Sequence, residues 1–233
     1  MSTSRAAITQ AFTILCAWAL LATAACDPLQ NRDDQAGALH VVFAKRDVGR
    51  FPSGFSSALT GGGGPTAWVV REDPQAPGAG PILVQESADD TSYRFPLCLY
   101  DGAERRDVAV EVHFKAIAGA VDQAGGIVLR YAPENYYIAR ANALEDNIEL
   151  FKTVRGKRSK IQEVAAKISS GTWHVLRFTA SGPHLTVALD GATVIETEDE
   201  TFTGPGQVGL WTKADSVTAF TGLVIEPVKA RSP

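Results

Sequence analysis

Short runs rich in β-branched and aromatic residues return along this chain at near-regular spacing, each closed by Gly, Pro, Asn, Asp or Ser. They fall at 39–43, 67–70, 82–85, 93–99, 108–117, 126–131, 136–142, 148–154, 173–180, 185–189, 193–197, 207–212 and 217–225. Many short strands with turn signals between them are the pattern of an all-β sandwich of two antiparallel sheets. The alternation is clearest from Val108 to Lys115: Val108, Val110, Val112 and Phe114 share one face, Glu111, His113 and Lys115 the other. Successive strand side chains point to opposite faces, so one face is core and the other meets water or a ligand. Asp190-Gly191 between two such runs predicts a tight hairpin, because both turn positions must tolerate positive φ. With 233 residues and 45% hydrophobic content, the chain can bury one large core. A single domain over 39–233 is therefore expected.

Two stretches are less regular. Gly61-Gly62-Gly63-Gly64-Pro65 is followed by no Lys-Ser/Thr and no helical pattern, so it is a flexible turn and not a phosphate loop. Ile161, Val164, Ala165 and Ile168 have helical spacing, in a stretch short enough to be one helical turn or an irregular strand.

The N-terminus carries an address. Arg5 is the only charge before an uncharged segment, 6–25, that ends in small residues, as in a secretory signal peptide. Gln10, Thr13 and Thr23 make the same segment a poor membrane span. Thr23-Ala24-Ala25-Cys26 resembles the lipobox of bacterial lipoproteins, with Thr where Leu is commoner. The resemblance implies cleavage after residue 25, lipidation of Cys26 and a polar tether over 26–38. The protein would then be exported and held on the bacterial cell envelope by acyl chains, each buried methylene adding about 0.8 kcal/mol. Of the remaining cysteines, Cys16 lies in the removed segment, and Cys98 sits in the apolar run 95–100 as a buried small hydrophobe.

Further resemblance is carried by four blocks: Tyr93-Arg94-Phe95-Pro96-Leu97; the run from Asp122-Gln123-Ala124-Gly125-Gly126 to Leu129-Arg130-Tyr131; the run from Asn135-Tyr136-Tyr137 to Glu145-Asp146-Asn147; and Val208-Gly209-Leu210-Trp211-Thr212 through Val217. From about Phe51 to Ile225 the chain is similar to exported bacterial jelly-roll domains of the 3-keto-disaccharide hydrolase-like, family 16 glycoside hydrolase-like kind. That resemblance implies a concanavalin A-like jelly-roll β-sandwich.

Motifs for chemistry are sparse. Glu196-Thr197-Glu198-Asp199-Glu200 departs from the family 16 E-x-D-x-x-E pattern: Glu198 stands at the aspartate position and Glu200 comes one residue early. A solvated strand end is expected there. Retaining hydrolysis needs two carboxyls about 5–5.5 Å apart. His40, His113, His174 and His184 have no metal-ligand spacing, so no catalytic metal is expected. No cofactor is expected, although Glu145, Asp146 and Asn147 could hold a structural calcium ion. A net charge of -4 and 21% charged residues argue against nucleic acid as a partner.

Arg130, Tyr136, Arg140, Asn142 and Glu149 fall on neighbouring strands, with Tyr136, Arg140 and Asn142 on one face by period two. Such a face offers planar donors, acceptors and an aromatic platform suited to sugar hydroxyls. The other reading is a sheet face knitted by Arg–Glu pairs. Three functions stay open: a non-catalytic glycan-binding envelope protein, a glycoside hydrolase-like enzyme acting on a glycoside or 3-keto-disaccharide, and a structural envelope protein.

Overall fold

A computed structural model of the chain describes residues 37–230. The expected signal peptide, Cys26 and most of the tether lie outside the described residues. Among the described residues no helix is long and apolar enough to cross a membrane.

The chain runs through β1 (Leu39–Val41), β2 (Phe55–Gly61), β3 (Trp68–Glu72), β4 (Pro81–Gln85), β5 (Arg94–Arg105), β6 (Val108–Ala118), β7 (Ala124–Ala132) and β8 (Asn135–Asn142). It continues through β9 (Asn147–Val154), β10 (Lys157–Ala165), β11 (His174–Ser181), β12 (His184–Leu189), β13 (Ala192–Glu198), β14 (Gly206–Trp211) and β15 (Val217–Pro227). An eight-stranded sheet has the order β13-β12-β11-β6-β15-β4-β3, with β1 also on the edge of β15, and a seven-stranded sheet has the order β10-β9-β8-β7-β14-β5-β2. All named strands pair antiparallel. From β4 to β7, and again from β13 to β15, the chain changes sheet at every connection. That non-local pairing makes a jelly-roll sandwich of the expected all-β kind.

The two sheets meet over a core to which both contribute. Val110, Val112 and Phe114 of β6 and Leu176 and Phe178 of β11 share one buried cluster with Ile127 and Leu129 of β7, Ala139 of β8, Leu150 of β9 and Leu210 of β14. The alternation expected from Val108 to Lys115 is present: the apolar set is buried and Glu111, His113 and Lys115 are half-buried on the other face. The Asp190-Gly191 hairpin joins β12 to β13, with φ of 49° and 83°.

The structure corrects one local reading and decides between the alternatives of another. The glycine run is held in place: the Gly64 N–H donates to Asp89 Oδ2 at 2.6 Å, and the Arg94 guanidinium donates to the carbonyls of Gly64 and Pro65 at 3.1 and 2.7 Å. The helical spacing from Ile161 is a strand, β10, with a bulge between Lys160 and Gln162. One inserted residue shifts the pleat, so Ile161 and Val164, three apart, both pack against the core.

Candidate functional site: a hollow formed by the curled sheet

The outer face of the seven-stranded sheet is the unusual surface of this molecule. Phe95, Leu97 and Leu99 of β5, Val128 of β7, Tyr136 and Ile138 of β8, Phe151 of β9 and Trp211 of β14 form a second buried cluster there. No strand of the other sheet contributes to it. An outer sheet face is normally wet, and curvature explains why this one is not. Strands β10 and β5 stand five pairings apart, which on a flat sheet is about 24 Å at ~4.8 Å per strand. Yet the Arg158 guanidinium of β10 lies 4.6 Å from the centroid of Phe95 on β5, 4.1 Å from that of Phe151 and 5.8 Å from that of Trp211. Tyr93, just before β5, ties that strand to the β9–β10 turn: its hydroxyl donates to the Gly156 carbonyl at 3.3 Å and accepts from the Arg158 N–H at 2.9 Å. The sheet therefore curls so that its concave face, the hollow of this sheet, is lined with aromatic rings and crossed by the Arg158 side chain.

Two strands leave space for the largest ring. Trp211 pairs in register with Gly126, where an added Cβ would stand 3.3 Å from Trp211 Cε3 and 2.8 Å from the Ala139 carbonyl oxygen. The indole lies near-parallel to Phe95, with ring centroids 5.5 Å apart.

Polar atoms in this apolar lining lack protein partners. Among the described residues, the Tyr136 hydroxyl, Thr153 Oγ1, Arg158 Nη1, Arg140 Nε and Trp211 Nε1 are all sealed from solvent without a hydrogen-bond partner. Tyr136 pairs in register with Thr153, and Thr153 with Arg158, so three adjacent strands place three such atoms in one row. Thr60 and Thr153 stand beside the Tyr136 phenol and act to lower its pKa, but burial outweighs them and raises it. Burial, reinforced by the nearby Arg140 charge, lowers the pKa of Arg158. A buried polar group without a partner costs about 1–3 kcal/mol, and several on one face mark where a ligand would satisfy them.

One end of the hollow is charged, and its charges are matched. Arg140 Nη2 donates to Glu145 at 2.7 Å and to Asn147 Oδ1 at 2.6 Å, and it pairs closely with Glu149. Lys160 bonds Glu149 and Glu163, each at 2.5 Å. Asp122 pairs with Lys213 and accepts from Asn142 Nδ2 at 2.9 Å. Burial, which would raise Glu145, is outweighed by Arg140, and its pKa is lowered; at Asp122 burial outweighs Lys213 and the pKa is raised.

Tyr136, Arg140 and Asn142 lie on one face of β8, and Glu149 of β9 joins them opposite Arg140. Arg130 does not. A bulge between Leu129 and Ala132, with Arg130 at φ 53°, turns it out of the hollow and brings Tyr131 in beside Tyr136 at 5.5 Å. Arg130 instead donates to the carbonyls of Arg106, Phe202 and Gly182 at 2.8, 2.6 and 2.8 Å. Within the group that remains, both sequence readings have a counterpart: Arg140 and Glu149 are knitted together, while Tyr136 is unbonded.

Sequence reasoning missed Arg158, Phe151 and Thr153 as part of the lining. Arg155-Gly156, whose φ values of 50° and 74° make the β9–β10 turn, was the available signal. The acid cluster lies elsewhere. Glu196 and Glu198 are exposed on β13, in register with Thr186 and His184 on the outer face of the eight-stranded sheet. Asp199 departs from the expected solvated strand end. It accepts from the Tyr137 hydroxyl at 2.7 Å and from Lys152 at 2.6 Å. Glu145 and Asn147 are engaged with Arg140, and Asp146 with Lys167 at 2.8 Å. Among the described residues no cluster of His, Cys, Asp and Glu is arranged to hold a metal ion.

No family model matches the chain, and no curated protein matches it. Solved structures do share its fold. Carbohydrate binding module CBM66 from Bacillus subtilis is similar with a TM-score of 0.59 at 23% identity, covering 74% of this chain and 95% of that one. Bacillus licheniformis β-glucanase gives 0.53 at 12% identity over 84% of this chain and 100% of that one. Domain 4 of an extracellular family 43 arabinanase from Geobacillus stearothermophilus, in complex with arabinotriose, gives 0.52 at 14% identity over 84% and 96%. At these identities the likeness is one of fold. The class it defines, with the two sheets described above, is the concanavalin A-like jelly-roll β-sandwich.

Proposed function

We propose that this protein is a glycan-binding, non-catalytic jelly-roll domain whose site is the aromatic hollow of the seven-stranded sheet. The observation that carries the reading is the gathering of unbonded polar atoms of Tyr136, Thr153, Arg158 and Trp211 among aromatic rings. Sugars present the matching chemistry: hydroxyls for the donors and acceptors, C–H faces for the rings. The fold neighbours include a carbohydrate binding module and a domain seen with arabinotriose, which supports the same reading. The charged groups at the end of the hollow favour binding over hydrolysis. Glu145 lies against Arg140, which holds its pKa down and leaves it poorly suited to donate a proton, and Glu149 is tied to both Arg140 and Lys160. Lipidation at Cys26, export and retention on the cell envelope complete the proposal, with glycan as the partner in the envelope.

Titration calorimetry against a glycan panel tests the binding. Tyr136→Phe removes a hydroxyl with no protein partner, so the fold should be kept while affinity falls by about three- to tenfold. Unchanged affinity for every bound glycan removes Tyr136 from the site. Turnover of any glycoside in a parallel screen overturns the non-catalytic reading. Fatty-acid labelling should be lost in Cys26→Ala, and labelling that survives this change refutes the anchor.

A further inference from the structure

Resting on that proposed glycan site, the ligand class can be narrowed by following the charges round the hollow. Every carboxylate there has a cation: Glu145 and Glu149 have Arg140, Glu149 and Glu163 have Lys160, and Asp122 has Lys213. The converse does not hold. Arg158 makes no ion pair among the described residues, is half-buried, and has Nη1 sealed from solvent without a partner. Its charge rests against the faces of Phe151, Phe95 and Trp211 instead. Cation–π contacts of this kind offset only part of the desolvation of a guanidinium.

We propose that Arg158 is the determinant for a carboxylate-bearing sugar unit, so that the preferred ligand is a uronic-acid-containing glycan. A guanidinium presents two parallel N–H groups that match the two oxygens of a planar carboxylate. The neighbouring unbonded atoms, Tyr136 hydroxyl, Thr153 Oγ1 and Trp211 Nε1, are neutral and suit ring hydroxyls. Four carboxylates, Glu145, Glu149, Glu163 and Asp122, share three cations, and Arg158 is the fourth cation and the one without an ion pair among the described residues, so a single carboxylate is the charge it can match by direct contact. A sulfate or phosphate ester would call for more, and Arg140, Lys160 and Lys213 are already committed to carboxylates.

The test compares matched pairs by calorimetry at low ionic strength: oligomers of galacturonate, glucuronate and mannuronate, each against its carboxyl-reduced neutral form, with inorganic sulfate as a bare anion. At least one acidic oligomer should bind about tenfold or more tighter than its reduced form. Arg158→Gln should bring that ratio close to one, whatever it does to binding of the neutral oligomer, and Arg158→Lys should restore part of it. Neutral oligomers bound as tightly as acidic ones by the wild-type protein overturn the proposal without any variant, and the glycan reading survives. A ratio that persists in Arg158→Gln also overturns it, as does sulfate binding as tight as that of the oligomers. If no glycan binds at all, both this inference and the glycan site fail together.

Discussion

Replacing Arg130 by Met strips donors from three loop carbonyls, those of Arg106, Phe202 and Gly182, and removes the cation 3.5 Å from Asp107. Breaking such a buried set costs about 3 kcal/mol. For a chain of this size that lowers Tm by roughly 6–12 °C, measurable by calorimetry. Glycan affinity should not change, because Arg130 is turned out of the hollow; a selective loss of affinity would show that it acts in binding. Asp199 belongs at the same scale. Burial would raise its pKa, but hydrogen bonds from Lys152, Thr201 and Tyr137 outweigh that and hold it at about 2. A folded-state pKa below the unfolded value means that the folded protein binds fewer protons. The stabilisation is therefore complete above about pH 4 and is lost as pH falls towards 2. Asp199→Asn should be less stable at pH 7, by on the order of 1–2 kcal/mol, and should lose less stability than wild type between pH 5 and 2 in urea titrations. Identical acid limbs would refute this account.

At the level of elements, the β9–β10 hairpin decides whether the hollow exists. Its turn places Arg155 and Gly156 at φ 50° and 74°, and its far strand carries Arg158 across to Phe95. Gly156→Ala forces a side chain into the left-handed region at about 1 kcal/mol. Hydrogen exchange should quicken in β10 and at the Arg158 amide ahead of the eight-stranded sheet; unchanged exchange there would mean that the turn does not control the edge. A second control point is Asp215, whose carboxylate accepts from the N–H groups of Ala120, Val121 and Asp122 at 2.6, 3.0 and 2.9 Å. Asp215→Ala leaves all three donors unbonded, a loss of roughly 2–4 kcal/mol in denaturant unfolding. Elements also differ in how well the sequence announces them. Central strands such as β6 are legible, since a face buried against another sheet demands alternation. Of the two edges of the seven-stranded sheet, β2 was not read as a strand and β10 only as one of two alternatives: Ser56, Ser57 and Thr60 in one and Lys157, Arg158 and Lys160 in the other give little apolar period. An edge strand packs against one neighbour and needs less of it.

In the molecule as a whole, Cys98 reports on the closure of the sandwich. It is fully buried in the core between the sheets, and burial pushes its thiol pKa well up. Peptide-resolved alkylation at pH 8 should label Cys98 only at the rate of global unfolding; labelling in native conditions without unfolding would contradict the packed core. The sandwich was readable because its evidence is local: strand alternation has period two, and Asp190-Gly191 sets a hairpin by its own backbone preferences. Tyr136, Arg140 and Asn142 could be grouped for the same reason. Tertiary structure alone decided the rest. A bulge beside Arg130 turned it away from the face that Tyr136, Arg140 and Asn142 share, and curling of the sheet set Arg158 against Phe95 from five pairings away in the strand order. Sheet curvature sums the twist of many pairings between distant segments, and no window of sequence contains that sum.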